Sequence, residues 1–203
     1  MGLTPVDPSE VAAIVTALEM RTRPVLKIVP PCPLALKRWE ATTPEKYRIL
    51  FKRVGAPWLW FSRLIMSDEA LKTIIHHVAV DLYAVVDTAG IEVGILELDF
   101  RESGQCELAF FGLVPELGGK GYGRWLMAHA LNLAWSGGMG RRAIDRVWVH
   151  TCTLDGPSAL GFYQRSGFTV YERSIETFAD PRGLGILPRD CAPQIACLAP
   201  STH

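Results

Sequence analysis

Val114-Pro115-Glu116-Leu117-Gly118-Gly119-Lys120-Gly121-Tyr122-Gly123-Arg124-Trp125-Leu126-Met127 is the stretch around which the chain is read. The residues before it, Cys106 to Leu113, are apolar with few breaks and read as a buried strand. After it Leu126, Met127, Ala130, Leu131 and Ala134 recur at helical spacing, so a helix starts near Gly121 with one face inward. A strand, a glycine-rich turn and a helix start aim backbone N–H groups at an anion, because the first helical turn has unpaired N–H groups and its dipole favours negative charge. Glycines remove the Cβ atoms that would hold a phosphate away from the backbone.

Two phosphate loops fit poorly. A Walker loop needs Gly, four residues, then Gly-Lys-Ser/Thr. Here Gly121 follows Gly119-Lys120, and Val114 occupies the place of the first glycine. A dinucleotide fingerprint needs G-x-G-x-x-G. Starting at Gly121 it puts Leu126 in the third slot, and starting at Gly119 it puts Arg124 there.

The segment resembles motif A of the GNAT superfamily of acyl-CoA N-acyltransferases, whose loop reads roughly Gln/Arg-x-x-Gly-x-Gly/Ala. Gly121 and Gly123 match the two small positions, and Gly118 stands where the family usually has Gln or Arg. A second segment, Thr153 to Phe168, is similar to the family's motif B through Ala159, the pair Phe162-Tyr163 and Gly167-Phe168. Gly156, beside Asp155, replaces the Asn usual seven positions before the tyrosine.

The resemblance implies an α/β GNAT fold, with a mixed, mostly antiparallel sheet, a β-α-β crossover and helices on both faces. It implies acetyl-CoA as cosubstrate, lying where the strands before the two motifs splay apart. Leu113 and Val114 would supply a free strand edge to the pantetheine arm. Gly118, Gly119, Lys120, Gly121, Tyr122, Gly123 and Arg124 would hold the pyrophosphate, with Ser158, Phe162 and Arg165 of motif B on the same cofactor.

Composition sets the wider bounds. A chain of 203 residues with 49% hydrophobic and 21% charged content reads as one globular domain. Lys plus Arg and Asp plus Glu are equal at 21 each, so no global field draws nucleic acid or an anionic membrane. The five cysteines, Cys32, Cys106, Cys152, Cys191 and Cys197, lack C-x-x-C spacing; this argues against a disulfide framework or a structural metal and for a reducing cytoplasm. No apolar run reaches membrane-spanning length, and Met1 to Glu10 does not read as a signal peptide.

Taken in order, Asp7-Pro8-Ser9-Glu10 reads as a helix start, and Val11, Ile14, Val15 and Leu18 as one apolar stripe, so residues 1–22 are expected to form an N-terminal helical extension. Arg23 to Val29 reads as a strand and Pro33 to Glu40 as a loop. Thr43-Pro44 opens a helix that Gly55 closes; Ser67-Asp68-Glu69 opens another, with Leu71, Ile74, Ile75 and Val78 facing the core and His76 and His77 read as capping or surface histidines. Leu82 to Val86, Glu92 to Phe100 and Cys106 to Leu113 are strands joined by short turns, hence antiparallel. Val147 to Cys152 follows the motif A helix and pairs parallel. Phe168 to Glu176 is a further strand. Residues 177–203 read as a long loop with a final edge strand at Gln194 to Leu198.

Amide formation from a thioester needs a neutral amine, a proton for the leaving thiolate and a donor for the carbonyl oxygen. Glu107, a charged residue in an apolar strand at the place where several GNAT enzymes carry a catalytic Glu, is the first candidate base; facing solvent or pairing with a structural arginine is the competing reading. Glu97 and Asp99, two apart on the preceding strand, are reserve bases. Tyr163 matches the family's tyrosine acid. In that fold the segment between the first two core helices walls the acceptor site, here Pro57-Trp58-Leu59-Trp60-Phe61; Trp58, Trp60 and Phe61 would offer an amine an apolar wall and a cation–π face. The expected activity is acetyl transfer to a primary amine of a small molecule or peptide. A silent acyl-CoA-binding module and a ligand-free interaction domain are the alternatives, and a homodimer is compatible with either.

Overall fold

The strand expected at Cys106 to Leu113 is the central strand of a seven-stranded sheet. The computed structural model describes residues 2–25, 31–137 and 143–198. In chain order the elements are β1 (Glu10–Met20), β2 (Ala35–Arg38), α1 (Pro44–Gly55), α2 (Asp68–Ile75), β3 (Val80–Val86), β4 (Glu92–Asp99), β5 (Gln105–Leu113), α3 (Tyr122–Trp135), β6 (Arg146–Cys152), α4 (Ala159–Arg165) and β7 (Thr169–Ala179). The sheet order is β2-β3-β4-β5-β6-β1-β7, antiparallel throughout except for β5 with β6.

Local chemistry explains the helices. Thr43 caps α1 by accepting from the Lys46 N–H, Pro44 fills the first turn, and Gly55 ends the helix. Gly55 also admits the Trp60 ring, which a Cβ there would strike. Ser67 caps α2 by accepting from the Ala70 N–H. Leu71 and Ile75 are buried as expected, but Ile74 is half-buried and Val78 exposed, because the helix stops before Val78. His76 bonds the Thr42 carbonyl through Nε2 at 2.8 Å, and His77 Nδ1 accepts from the Ala79 N–H at 3.0 Å.

The N-terminal segment corrects the sequence reading. Residues 10–20 are a strand lying between β6 and β7, not a helical extension. Asp7 accepts from the Ser9 N–H, and Glu10 N–H donates to the Asp7 carbonyl, so Asp7-Pro8 makes a turn into the strand. The apolar stripe at 11, 14, 15 and 18 misleads because each half of β1 is covered on a different face. Val11 and Ala13 pack with Leu59, Leu154 and Leu187; Leu18 and Met20 pack in the main core.

Three further expectations change. Ala35–Arg38, expected in a loop, is an edge strand on β3. Arg23 to Val25 are not in a strand, and the remainder of that expected strand, residues 26–29, lies outside the described residues. Gln194 to Leu198 is not a strand. Arg182, ion-paired with Asp180 at 2.7 Å, donates to the carbonyls of Cys191, Ala192, Ile195 and Ala196, so that segment spends its acceptors on a guanidinium instead of a ladder. Gln194 then ties the segment to the Pro57 carbonyl at 2.7 Å.

The register assigns the faces. Phe110 lies opposite Glu97 and packs on Phe51 of α1, so α1 covers that face. Phe111 points the other way, onto Phe162 and Tyr163 of α4.

Candidate active site

β5 and β6 pair only from Gln105 to Glu107 with Arg146 to Trp148. Beyond Glu107 they part, and a cavity of about 950 Å³ opens through the gap. Two features of β5 prepare it. Ala109 has no partner on β4, since Glu97 faces Phe110 and Leu98 faces Leu108, so a bulge bends the strand there. Val114 N–H donates to the Val93 carbonyl at 2.9 Å, which by strand alternation turns the N–H and C=O of Leu113 and Phe111 toward the gap. Of the two residues expected to supply a free edge, Leu113 thus presents its groups, while the Val114 N–H is already spent on β4.

The glycine loop forms one mouth of the cavity. Gly119 has φ 72° and Gly121 φ 81°, a left-handed conformation that disfavours a side chain at either position. Gly121 is the N-cap of α3 without a side-chain capping bond, so the N–H groups of Tyr122 and Gly123 stay available to an anion, while that of Arg124 donates to the Gly121 carbonyl at 3.1 Å. The Arg124 guanidinium lies over Gly121, where an added Cβ would come within 3.2 Å of Nη2. Phe162 packs beside Gly123. Gly118, Gly119, Gly121, Gly123, Arg124, Ser158 and Phe162 line the cavity. Lys120, Tyr122 and Arg165 do not; the Arg165 side chain folds back over Gly161.

The two expected proton-transfer groups reach the gap from opposite faces of the sheet. Tyr163 comes from the α4 side, packed against Phe111, Phe162 and Phe168. Burial first, then the Asp155 charge, push its phenol pKa well up, so it stays protonated. Glu107 lies on the other face, opposite Asp99. Its Oε1 is 3.5 Å from Nδ1 of His150, a residue to which the sequence reading gave no role. The available signal was alternation: Trp148 and His150 are two apart on β6, on the face that the parallel pairing shares with Glu107.

Both reserve bases line up on that face but are engaged. Asp99 is held by Arg101 through Nε at 2.8 Å and Nη2 at 2.5 Å. Glu97 is fully buried, accepts from the Tyr47 hydroxyl at 2.6 Å and from Arg63 Nη2 at 2.5 Å, and does not line the cavity. Burial and the Glu97 charge both hold the Tyr47 phenol neutral.

The far wall is aromatic. Trp60 packs on Phe51 and Phe110, and Phe61 on Phe178. The Trp58 ring covers Gly156, where a Cβ would come within 3.3 Å of it, so the glycine in place of the usual motif B Asn makes room for this indole. Asp155 organises the turn below by accepting from the Thr151 hydroxyl at 2.6 Å and the Cys152 N–H at 3.0 Å. Trp58, Trp60, Phe61, Asp155, Glu176 and Phe178 line this end with His150 and Glu107. Among the described residues there is no cluster of metal-ligand side chains, and no helix is long and apolar enough to cross a membrane.

The family described as acetyltransferase (GNAT) domain matches residues 75–170. No curated protein matches the sequence. A GCN5-related N-acetyltransferase from Sphaerobacter thermophilus is 17% identical with a TM-score of 0.57, covering 83% of this chain and 51% of that one. One from Kribbella flavida is 16% identical with a TM-score of 0.53, covering 85% and 60%. A variant of the spermidine N-acetyltransferase of Vibrio cholerae is 19% identical with a TM-score of 0.51, covering 74% and 95%. The chain spans 51–63% of the length of the first three solved structures it resembles. At these identities the likeness is one of fold. Residues 75–170, which hold the parted strands, the glycine loop and both motif helices, match the GNAT acetyltransferase domain, and the sheet built around them has the GNAT fold.

Proposed function

We propose that the protein transfers an acetyl group from acetyl-CoA to a primary amine of a small molecule or peptide. The observation that supports this best is the gap between β5 and β6, which joins a phosphate-type loop on one side of the sheet to an aromatic and acidic chamber on the other. The pyrophosphate rests on the first-turn N–H groups of α3 with Arg124 beside them. The pantetheine arm pairs with the open groups of Leu113 and Phe111. The thioester then lies in the gap, and the amine enters along Trp58, Trp60 and Phe61.

Direct attack follows. The amine loses a proton on the Glu107 side, its nitrogen bonds the carbonyl carbon, and the C–S bond breaks. Tyr163 hands its proton to the departing sulfur and regains one from the nitrogen, which sheds its second proton as the amide forms. Burial keeps the phenol protonated, and it also raises the basicity of a thiolate formed in the same apolar surroundings. The aromatic wall, Trp58 to Phe61, lies outside residues 75–170, whereas Glu107, His150 and Asp155 at the same end lie within them, so the acceptor chamber is built partly from residues that the family match does not cover.

A panel of amines with thiol release from acetyl-CoA as readout tests the reaction. A thermal response to CoA with no release against any amine would leave an acyl-CoA-binding module instead. CoA at about 100 times Kd adds about 2.7 kcal/mol to stability, a rise of roughly 5–10 °C in Tm for a chain of this size. In Gly121→Val that rise disappears, because a β-branched residue at φ 81° strains the loop and meets Arg124. A folded Gly121→Val protein with an unchanged rise would remove the loop from the cofactor site.

Trp58→Ala is expected to raise KM for the amine several-fold, in line with a cation–π and apolar contact of about 0.5–2 kcal/mol, while the thermal response to CoA is kept. Unfolding, or loss of CoA binding, would make Trp58 a structural residue.

A further inference from the structure

We propose that His150 takes the proton of the acceptor ammonium, and that Glu107 is the positioning residue that holds the imidazole in place and in the right tautomer. This rests on the acetyl-transfer reading above. Nδ1 of His150 faces Oε1 of Glu107 at 3.5 Å, which makes Nδ1 the protonated nitrogen and Nε2 the acceptor. The His150 side chain is 51% exposed and lines the cavity, whereas Glu107 behind it is 22% exposed. Among the described residues Nε2 has no hydrogen bond. An amine arriving along the aromatic wall therefore meets the imidazole before the carboxylate.

The surroundings fit the task. Glu107 from β5, Asp155 from the turn after β6 and Glu176 from β7 place negative charge around the ring; β1 contributes Ala17 opposite it, without charge. Asp99 and Arg101, next to Glu107, cancel each other. The Glu107 carboxylate beside the ring raises the His150 pKa most, burial opposes it, and the charges of Glu107, Asp155 and Glu176 add to the rise. A stronger base stands closer to an alkylammonium near about 10.4 and lowers the cost of the transfer. The protons balance. Nε2 removes one from the ammonium and releases it to solvent. The second, lost as the C–N bond forms and the C–S bond breaks, leaves on the thiol sulfur through Tyr163.

A neutral imidazole is required, so kcat/KM falls as pH drops through the raised His150 pKa. The test compares pH profiles of wild type, His150→Gln and Glu107→Gln, with the CoA thermal response as the check on folding and NMR titration of the His150 ring as a readout independent of turnover. The expected result is a loss of about 10²–10⁴-fold in His150→Gln with its low-pH limb gone. In Glu107→Gln the loss is smaller, the limb moves to lower pH, and the ring titrates lower by NMR. Two results would overturn the proposal: His150→Gln within threefold of wild type with its limb intact, or Glu107→Gln as the variant that abolishes the limb. Wild type that acetylates no amine would remove the base role together with the acetyl-transfer reading. An NMR titration of His150 insensitive to Glu107→Gln would remove the pair alone.

Discussion

Tyr163→Phe should lower kcat by about 10²–10⁴-fold, the range for loss of a general acid, with CoA affinity nearly unchanged. The ring is packed against Phe111, Phe162 and Phe168, and phenylalanine keeps those contacts. Only the proton is lost. A double variant of Tyr163→Phe with Glu107→Gln shows whether the two sides share a step: effects that do not multiply mean one concerted proton transfer, and effects that multiply mean two separate ones. Single-turnover measurement of thiol release, with chemistry shown to limit the rate, is the deciding measurement. A variant within threefold of wild type would mean that water protonates the sulfur and that Tyr163 is a core residue.

Arg63→Ala should cost about 3–5 kcal/mol, the penalty for leaving one partner of a buried ion pair alone. Glu97 is fully buried, and its two oxygens are satisfied only by Arg63 and the Tyr47 hydroxyl among the described residues. At roughly 2–4 °C per kcal/mol for a chain of this size, Tm falls by about 6–20 °C. Adding Glu97→Gln to Arg63→Ala should recover part of the loss, since the charge left behind is then gone. Denaturant unfolding of the two variants measures both terms. Arg63→Ala within 1 kcal/mol of wild type would mean that water reaches Glu97. The network also bears on the site, because Arg63 stacks on Phe110 and lines the cavity while its anchor, Glu97, lies beneath.

The elements read correctly from sequence are those whose signals are local. Thr43-Pro44 and Ser67-Asp68 carry their own caps, and β3 to β5 are bounded by short turns. The apolar spacing of β1 fits a helix because each half of the strand is covered on a different face. The edge strand β2 has four residues, too few to show alternation against its prolines. The segment 194–198 looked like a strand because nothing local reveals that Arg182 takes its carbonyls.

The site divides in the same way. Glycine conformation and helix start are properties of neighbouring residues, so the Gly118–Arg124 loop, its place between β5 and α3, and Tyr163 on the following helix could be read from the chain alone. The meeting of Glu107 with His150, 43 positions later, could not. Nor could the capture of Glu97 by Tyr47 and Arg63, or the indole of Trp58 in the space above Gly156. These depend on strand register and on which face each side chain takes. A shift of one residue in β5 or β6 would send Glu107 and His150 to opposite faces, and the three-residue parallel pairing that sets Glu107 beside Trp148 decides that they meet.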